Sequence, residues 1–207
     1  MIARTAPVAP SRIGLESNGM LMTPEEFDAI EEYDDNYRYE LIDGVLVVNP
    51  IPLEGESGPN ELLGGLLFGY REYHEHGKSL DRTLQERFVR TANSRRRADR
   101  VIWAGLGRRV EPKIDPPTIA VEFVSRSRRD RKRDYEDKRE EYSQTGMKEY
   151  WIIDRFQRCM TVFKFSGRRS KPTIVTEQET HSTRLLPGFV LPLARILEEA
   201  DYWEKPK

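Results

Sequence analysis

The chain has 207 residues, a third of them charged and 37% hydrophobic, a balance that suits a globular protein with one sizeable core. Its formal net charge of −1 excludes a bulk polycation, and no window approaches the roughly 18 uninterrupted apolar residues of a membrane helix. Cys159 is the sole cysteine, which excludes an internal disulfide and a cysteine-based zinc site; with no apolar run of secretory-signal length near the N-terminus, the reading is cytoplasmic.

Residues 1 to about 20 lack periodicity and contain Pro, Ser and Gly, so they read as a disordered tail, with 21–207 as a single domain. A short helix starts after Thr23, with Pro24 at its first position and Glu26 completing a capping box. Tyr37 to Ile42 and Val45 to Val48 form a hairpin around Asp43-Gly44, a strong signal for a two-residue turn. Pro50 to Pro59 reads as a loop, and Asn60 to His76 as a helix with Leu62, Leu63, Leu66, Leu67 and Tyr70 on one face. Gly64, Gly65 and Gly69 weaken that helix and receive no function. Strands are expected at Thr83 to Arg90, Ala98 to Ala104 and Thr118 to Ser125. A charged helix follows from about Arg129 to Thr145, ending at Gly146. Lys148 to Asp154, Cys159 to Phe165 and Thr173 to Thr176 complete the strands, and a short helix closes the chain. The unit from 118 to 154 should be a right-handed crossover between parallel strands, which predicts a mixed sheet flanked by helices.

Four residues form a constellation with chemical capacity. Glu122 interrupts the apolar run IAVEFV, where an unpaired carboxylate is costly. Asp99 opens the apolar run Val101-Ile102-Trp103. Lys138 shares a helix stripe with Asp134 and Tyr142 at i, i+4 spacing. Glu40 lies in the strand YRYELI. Carboxylates without a cysteine or histidine cluster favour a hard cation, Mg²⁺ or Mn²⁺, which can activate a water against a phosphodiester, and a lysine can stabilise charge on the phosphorane. Basic clusters at Arg95–Arg97 and Arg126–Arg133 flank these residues and suit a polyanion.

The run YELIDG, an Asp opening an apolar strand, VEFVS, D-x-x-x-K-x-x-x-Y and GMKEYWIID resembles the Uma2-like family of the PD-(D/E)xK nuclease superfamily. The resemblance covers about Thr23 to Leu197 and includes the LPGF segment Leu186 to Phe189. It implies a restriction-endonuclease-like α/β core, with hairpin additions at both ends, and Mg²⁺- or Mn²⁺-dependent hydrolysis of DNA. Asp99, Glu122 and Glu40 would be metal ligands and Lys138 the catalytic lysine. Val124 stands where the superfamily's lysine usually falls, so Lys138 on the following helix takes that place. Ala98 replaces the proline before the motif aspartate, and Asn60 stands where many relatives have histidine. Arg97, Arg126, Arg128 and Arg129 would contact the DNA backbone, and analogy with small nucleases that cut both strands implies a homodimer. Two other readings stand beside this one: a non-catalytic nucleic-acid-binding domain on the same fold, and a hydrolase of RNA or nucleotides.

Overall fold

The structure is a computed structural model that describes residues 12–125, 132–166 and 169–204. By packing, these fall into two compact units: Met1–Ile51 with Arg90–Arg97, and Pro52–Val89 with Ala98–Lys207.

In the first unit, β1 (Arg12–Ile13) pairs parallel with β2 (Glu32–Tyr33). Helix α1 (Pro24–Asp28) begins at the Thr23 cap, where the Thr23 hydroxyl accepts from Glu26 N–H and the Glu26 carboxylate from Thr23 N–H. β3 (Tyr37–Ile42) and β4 (Val45–Pro50) form the expected hairpin. Asp43 (φ 47°) and Gly44 (φ 79°) both take the left-handed backbone that the turn demands. Its core is Ile13, Phe27, Tyr39, Leu41 and Leu46. Within the expected tail, Ile13 is fully buried, and its carbonyl accepts from the Tyr39 hydroxyl. The amphiphilic cue for this is a single isoleucine, too short to register as periodicity.

The second unit is built on a mixed sheet. Its strands are β5 (Leu80–Arg90), β6 (Arg95–Ala104), β7 (Ile119–Phe123), β8 (Glu149–Asp154), β9 (Cys159–Ser166) and β10 (Arg169–Thr176). The order is β10-β9-β8-β7-β6, with β5 also on β6; β7 and β8 are parallel, and the other neighbours with known register are antiparallel. The first three residues of β6 and the last of β5 belong to the first unit, where Arg95 pairs with Leu41 of β3. A small ribbon, β11 (Thr180–Ser182) with β12 (Val190–Pro192), precedes the last helix.

Among the described residues, three helices cover this sheet. α2 (Glu54–Tyr73) starts six residues earlier than the leucine pattern indicates. Pro59 falls in its second turn and removes one backbone donor without ending the helix, and the face Pro59, Asn60, Leu63, Leu67 and Tyr70 is buried. α2 packs with α4 (Leu193–Tyr202), which buries Leu193, Ile196, Leu197 and Ala200. With Ile102, Val121, Trp151 and Ile153 they form one apolar layer. The other layer holds Val101, Trp103, Ala120, Tyr142, Tyr150, Ile152 and Phe163, beneath α3 (Lys138–Ser143) and the π-helical turn Arg133–Asp137 before it. β7 is buried at every residue, as a strand covered on both faces must be.

Candidate active site

Alternation along β7 decides where Glu122 points. Ile119, Val121 and Phe123 enter the α2 layer, so Ala120 and Glu122 turn to the α3 side. There Glu122, 2% exposed, meets two side chains of the charged helix: its Oε2 lies 2.9 Å from Lys138 Nζ, and its Oε1 accepts from the Tyr142 hydroxyl at 3.3 Å. Lys138 is itself 2% exposed, and its ammonium also lies 3.6 Å from Asp134 Oδ1. Asp134 accepts from Arg133 Nε at 3.3 Å, and its carbonyl accepts from the Tyr150 hydroxyl at 3.0 Å. The stripe Asp134, Lys138 and Tyr142 thus does turn towards the sheet. The π-helical turn that carries Asp134 is the kind of local widening that recurs at functional sites.

Burial pushes the Glu122 carboxyl well above the usual carboxylate range; Lys138 opposes this, while Asp99 and Asp134 add to it. Burial, then the nearby Glu122 charge, also pushes the Tyr150 hydroxyl well up.

Asp99 is half-buried on β6, next to β7, with Arg100 opposite Val121 in register. Its Oδ2 accepts from the N–H of Phe123 at 2.7 Å, the residue after Glu122. α2 grips the same strand position. Asn60 Nδ2 donates to the Asp99 carbonyl at 2.9 Å, and Arg100 Nε donates to Asn60 Oδ1 at 2.7 Å. Arg100 Nη2 reaches the Asn60 carbonyl at 2.9 Å, and Nη1 the Thr83 hydroxyl at 3.3 Å. Sequence reasoning missed this clip. Its one available signal was Gly64: a Cβ there would stand 2.6 Å from Arg100 Nη2.

Glu40 belongs to the first unit. It is buried, its Oε1 accepts from the N–H of Arg97 at 2.8 Å, and Asn49 Nδ2 lies 3.5 Å from its Oε2. Arg97 is half-buried there. Arg126, Arg128 and Arg129 lie outside the described residues. Asp99, Glu122 and Lys138 therefore share the second unit, with Asp134 and Tyr142 as further members.

Among the described residues, no group of three or more Asp, Glu, His or Cys side chains is gathered for a metal ion. The donor chemistry nevertheless fits Mg²⁺ or Mn²⁺. Such ions take one or two carboxylates, with waters and substrate phosphates filling the rest, and Asp99 and Glu122 are two oxygen donors on adjacent strands.

A family model described as Uma2, "Putative restriction endonuclease", matches residues 24–194. The chain belongs to the Uma2 family. Among solved structures, the chain is similar to one titled as a "putative nuclease belonging to DUF820" from Anabaena variabilis, at 12% identity and a TM-score of 0.68. The match covers 86% of this chain and 99% of that one, and at this identity it establishes the shared fold. No curated protein matches. The Uma2 model spans both units and contains every residue of the constellation.

Proposed function

We propose that this Uma2-family chain is a metal-dependent endonuclease that hydrolyses DNA phosphodiester bonds. The observation that carries the reading is one buried lysine held between two carboxylates, Glu122 and Asp134, beside a second strand carboxylate, Asp99. Asp99 and Glu122 would hold Mg²⁺ or Mn²⁺, which when bound makes a water acidic enough to attack phosphorus and offsets phosphate charge. Lys138 presents its ammonium to the oxygen that gains charge as the bond breaks. Tyr142 and Asp134 position Glu122 and Lys138 through the bonds described above. Glu40 fixes the N–H of Arg97, two residues before Asp99 in sequence. Arg97 and the arginines that follow β7 in sequence, Arg126, Arg128 and Arg129, supply backbone affinity without sequence preference. Cutting both strands would bring two copies to one duplex, so a homodimer on DNA is part of the proposal.

One observation favours a second reading, a DNA-binding domain without catalysis: Glu122 already has an ammonium 2.9 Å away, which competes with a metal ion. Nicking, metal titration and DNA binding together separate the two. Plasmid nicking with Mg²⁺ or Mn²⁺ should fall at least ~100-fold in Glu122→Gln, with the circular dichroism unchanged. Calorimetric titration of Mn²⁺ should give about one site per chain, lost in Asp99→Ala. Unchanged nicking in Glu122→Gln overturns the nuclease assignment, and DNA binding with neither metal uptake nor nicking establishes the second reading.

A further inference from the structure

The second unit carries a feature that the catalytic constellation does not use. An open depression of about 960 Å³ lies between the start of β5 and the loop that follows β6. Arg71, Lys78, Arg82, Arg108 and Arg109 line it, against the acids Glu72 and Asp81. Both acids are already engaged, Glu72 with a cation of the depression itself. Glu72 pairs with Arg71 at 2.8 Å. Asp81 accepts from Leu106 N–H at 2.8 Å and Gly107 N–H at 3.0 Å, and so clamps the loop. That loop needs glycine twice, at Gly105 (φ 80°) and Gly107 (φ 63°), and Gly105 N–H also donates to the Ser79 carbonyl. The two segments that bear the cations are thereby stitched into one ledge.

Two of the guanidinium groups are also held in orientation. Arg108 makes a two-pronged pair with Asp115 at 2.6 and 2.8 Å, and Arg82 donates to the Asp81 carbonyl at 2.7 Å. Lys78, Arg82 and Arg109 are exposed and make no ion pair among the described residues. Cations spread over a wide, shallow surface, three of them without an ion pair among the described residues, suit a polyphosphate, and the preset Arg82 guanidinium loses little freedom on meeting phosphate oxygens. Among the described residues, the lining contains no aromatic ring and only Leu80 and Val110 as large apolar groups. Single strands are held by stacking bases on aromatic rings, so this surface suits the outside of a duplex. Its loop side also stands apart from the catalytic residues. Asp99 to the end of β6 at Ala104 is five residues, about 16 Å at ~3.3 Å per residue, and the loop lies beyond.

We infer that this depression is a second nucleic-acid site, one that grips the sugar-phosphate backbone of duplex DNA away from the point of cleavage. The inference deepens the nuclease proposal and rests on it for its choice of polyanion. The site supplies affinity and residence on DNA, and no base readout.

The test is fluorescence anisotropy of a labelled duplex of about 30 bp, titrated with salt in EDTA, for wild type and for Lys78→Ala/Arg82→Ala/Arg109→Ala. Loss of two to three phosphate contacts should weaken binding by ~10-fold or more and flatten the log–log salt dependence by about 2 to 3. The triple variant should still nick plasmid at saturating DNA with metal, since it leaves Asp99, Glu122 and Lys138 intact. Equal duplex affinity and equal salt slope in the two proteins overturn the site, whether or not either cuts. Stronger wild-type binding to a Glu-rich peptide than to duplex, lost in the triple variant, also overturns it and names an acidic protein segment instead. Duplex binding that depends on these cations, in a protein that never cuts, keeps the site and overturns the nuclease reading alone.

Discussion

At the scale of single residues, the arithmetic of the buried charges is unequal. Lys138 is flanked by Glu122 at 2.9 Å and Asp134 at 3.6 Å, so it can lose one carboxylate and retain the other. The carboxylates differ: Asp134 keeps Arg133 Nε at 3.3 Å, whereas the cation paired with Glu122 is Lys138. Removing Lys138 leaves two buried acids, 2% exposed each, without the ammonium between them. A buried charge stripped of its partner costs about 3–5 kcal/mol, whereas replacing a whole buried pair with isosteric neutral groups is often close to free. Lys138→Met should therefore lose about 3–5 kcal/mol at pH 8 by urea unfolding, and Glu122→Gln much less. The double variant Lys138→Met/Glu122→Gln should regain part of that loss. The pH dependence has a fixed sign. Burial already pushes Glu122 up, and loss of Lys138 removes the influence that pulls it down. A raised carboxyl favours the folded state while protonated, and that contribution is lost as pH rises through it. The Lys138→Met deficit should shrink at pH 5. A deficit that is equal at pH 5 and pH 8 would mean that the carboxylates find another cation.

At the scale of elements, α2 is fastened to β6 by Arg100, and two neighbouring glycines report on it in opposite directions. Gly65 is exposed, with nothing within 4 Å of an added Cβ, so Gly65→Ala should gain about 1 kcal/mol of helix propensity. Gly64→Ala gains the same propensity but drives a methyl to 2.6 Å from Arg100 Nη2. Displacing that guanidinium endangers its bonds to Asn60, each worth about 1.5–3 kcal/mol for a charged donor, so the loss exceeds the gain. Thermal melting should place Gly65→Ala above wild type and Gly64→Ala below it; the reverse order would mean that Arg100 moves aside without loss. The same contrast shows what was legible in the sequence. The Asp43-Gly44 hairpin, the Thr23 cap and the stripe Asp134, Lys138, Tyr142 are local patterns, each written within a few consecutive residues, and each was readable. The start of α2 was obscured because Pro59, a local stop signal, is tolerated by a helix that tertiary packing stabilises. The Asn60–Arg100 clip joins residues 40 apart and leaves no local mark except a glycine. His181 lies in a polar stretch of sequence, and only the fold brings Trp151 and Glu149 to it.

At the scale of the whole molecule, that histidine makes stability depend on mild acid. His181 is 7% exposed, edge-on to Trp151 with ring centres 4.9 Å apart, and its Nε2 has no hydrogen-bond partner among the described residues. Burial, assisted by the Lys164 ammonium, lowers it to about 4. Glu149 stands 3.9 Å from Nε2 but does not rescue the charged ring. Its two oxygens already accept from the Thr183 hydroxyl at 2.8 Å and Trp151 Nε1 at 2.9 Å, and Lys164 lies 4.0 Å from it. A depressed histidine binds its proton less well folded than unfolded. Above pH 6.5 it contributes no slope; between 6.5 and about 4 the unfolded chain takes up a proton that the folded chain refuses, and stability falls. The full shift corresponds to at most about 3 kcal/mol, a large part of a typical folding free energy. Substituting His181→Phe keeps an aromatic edge on Trp151 and removes the titration. Because every carboxylate is common to both proteins, the difference between their urea-unfolding free energies isolates this ring. That difference should be flat from pH 8 to 6.5 and then move steadily in favour of His181→Phe down to pH 4. A flat difference throughout would mean that the folded protein protonates His181 as readily as the unfolded chain, with the ring turned out to solvent and Glu149 free to pair with it.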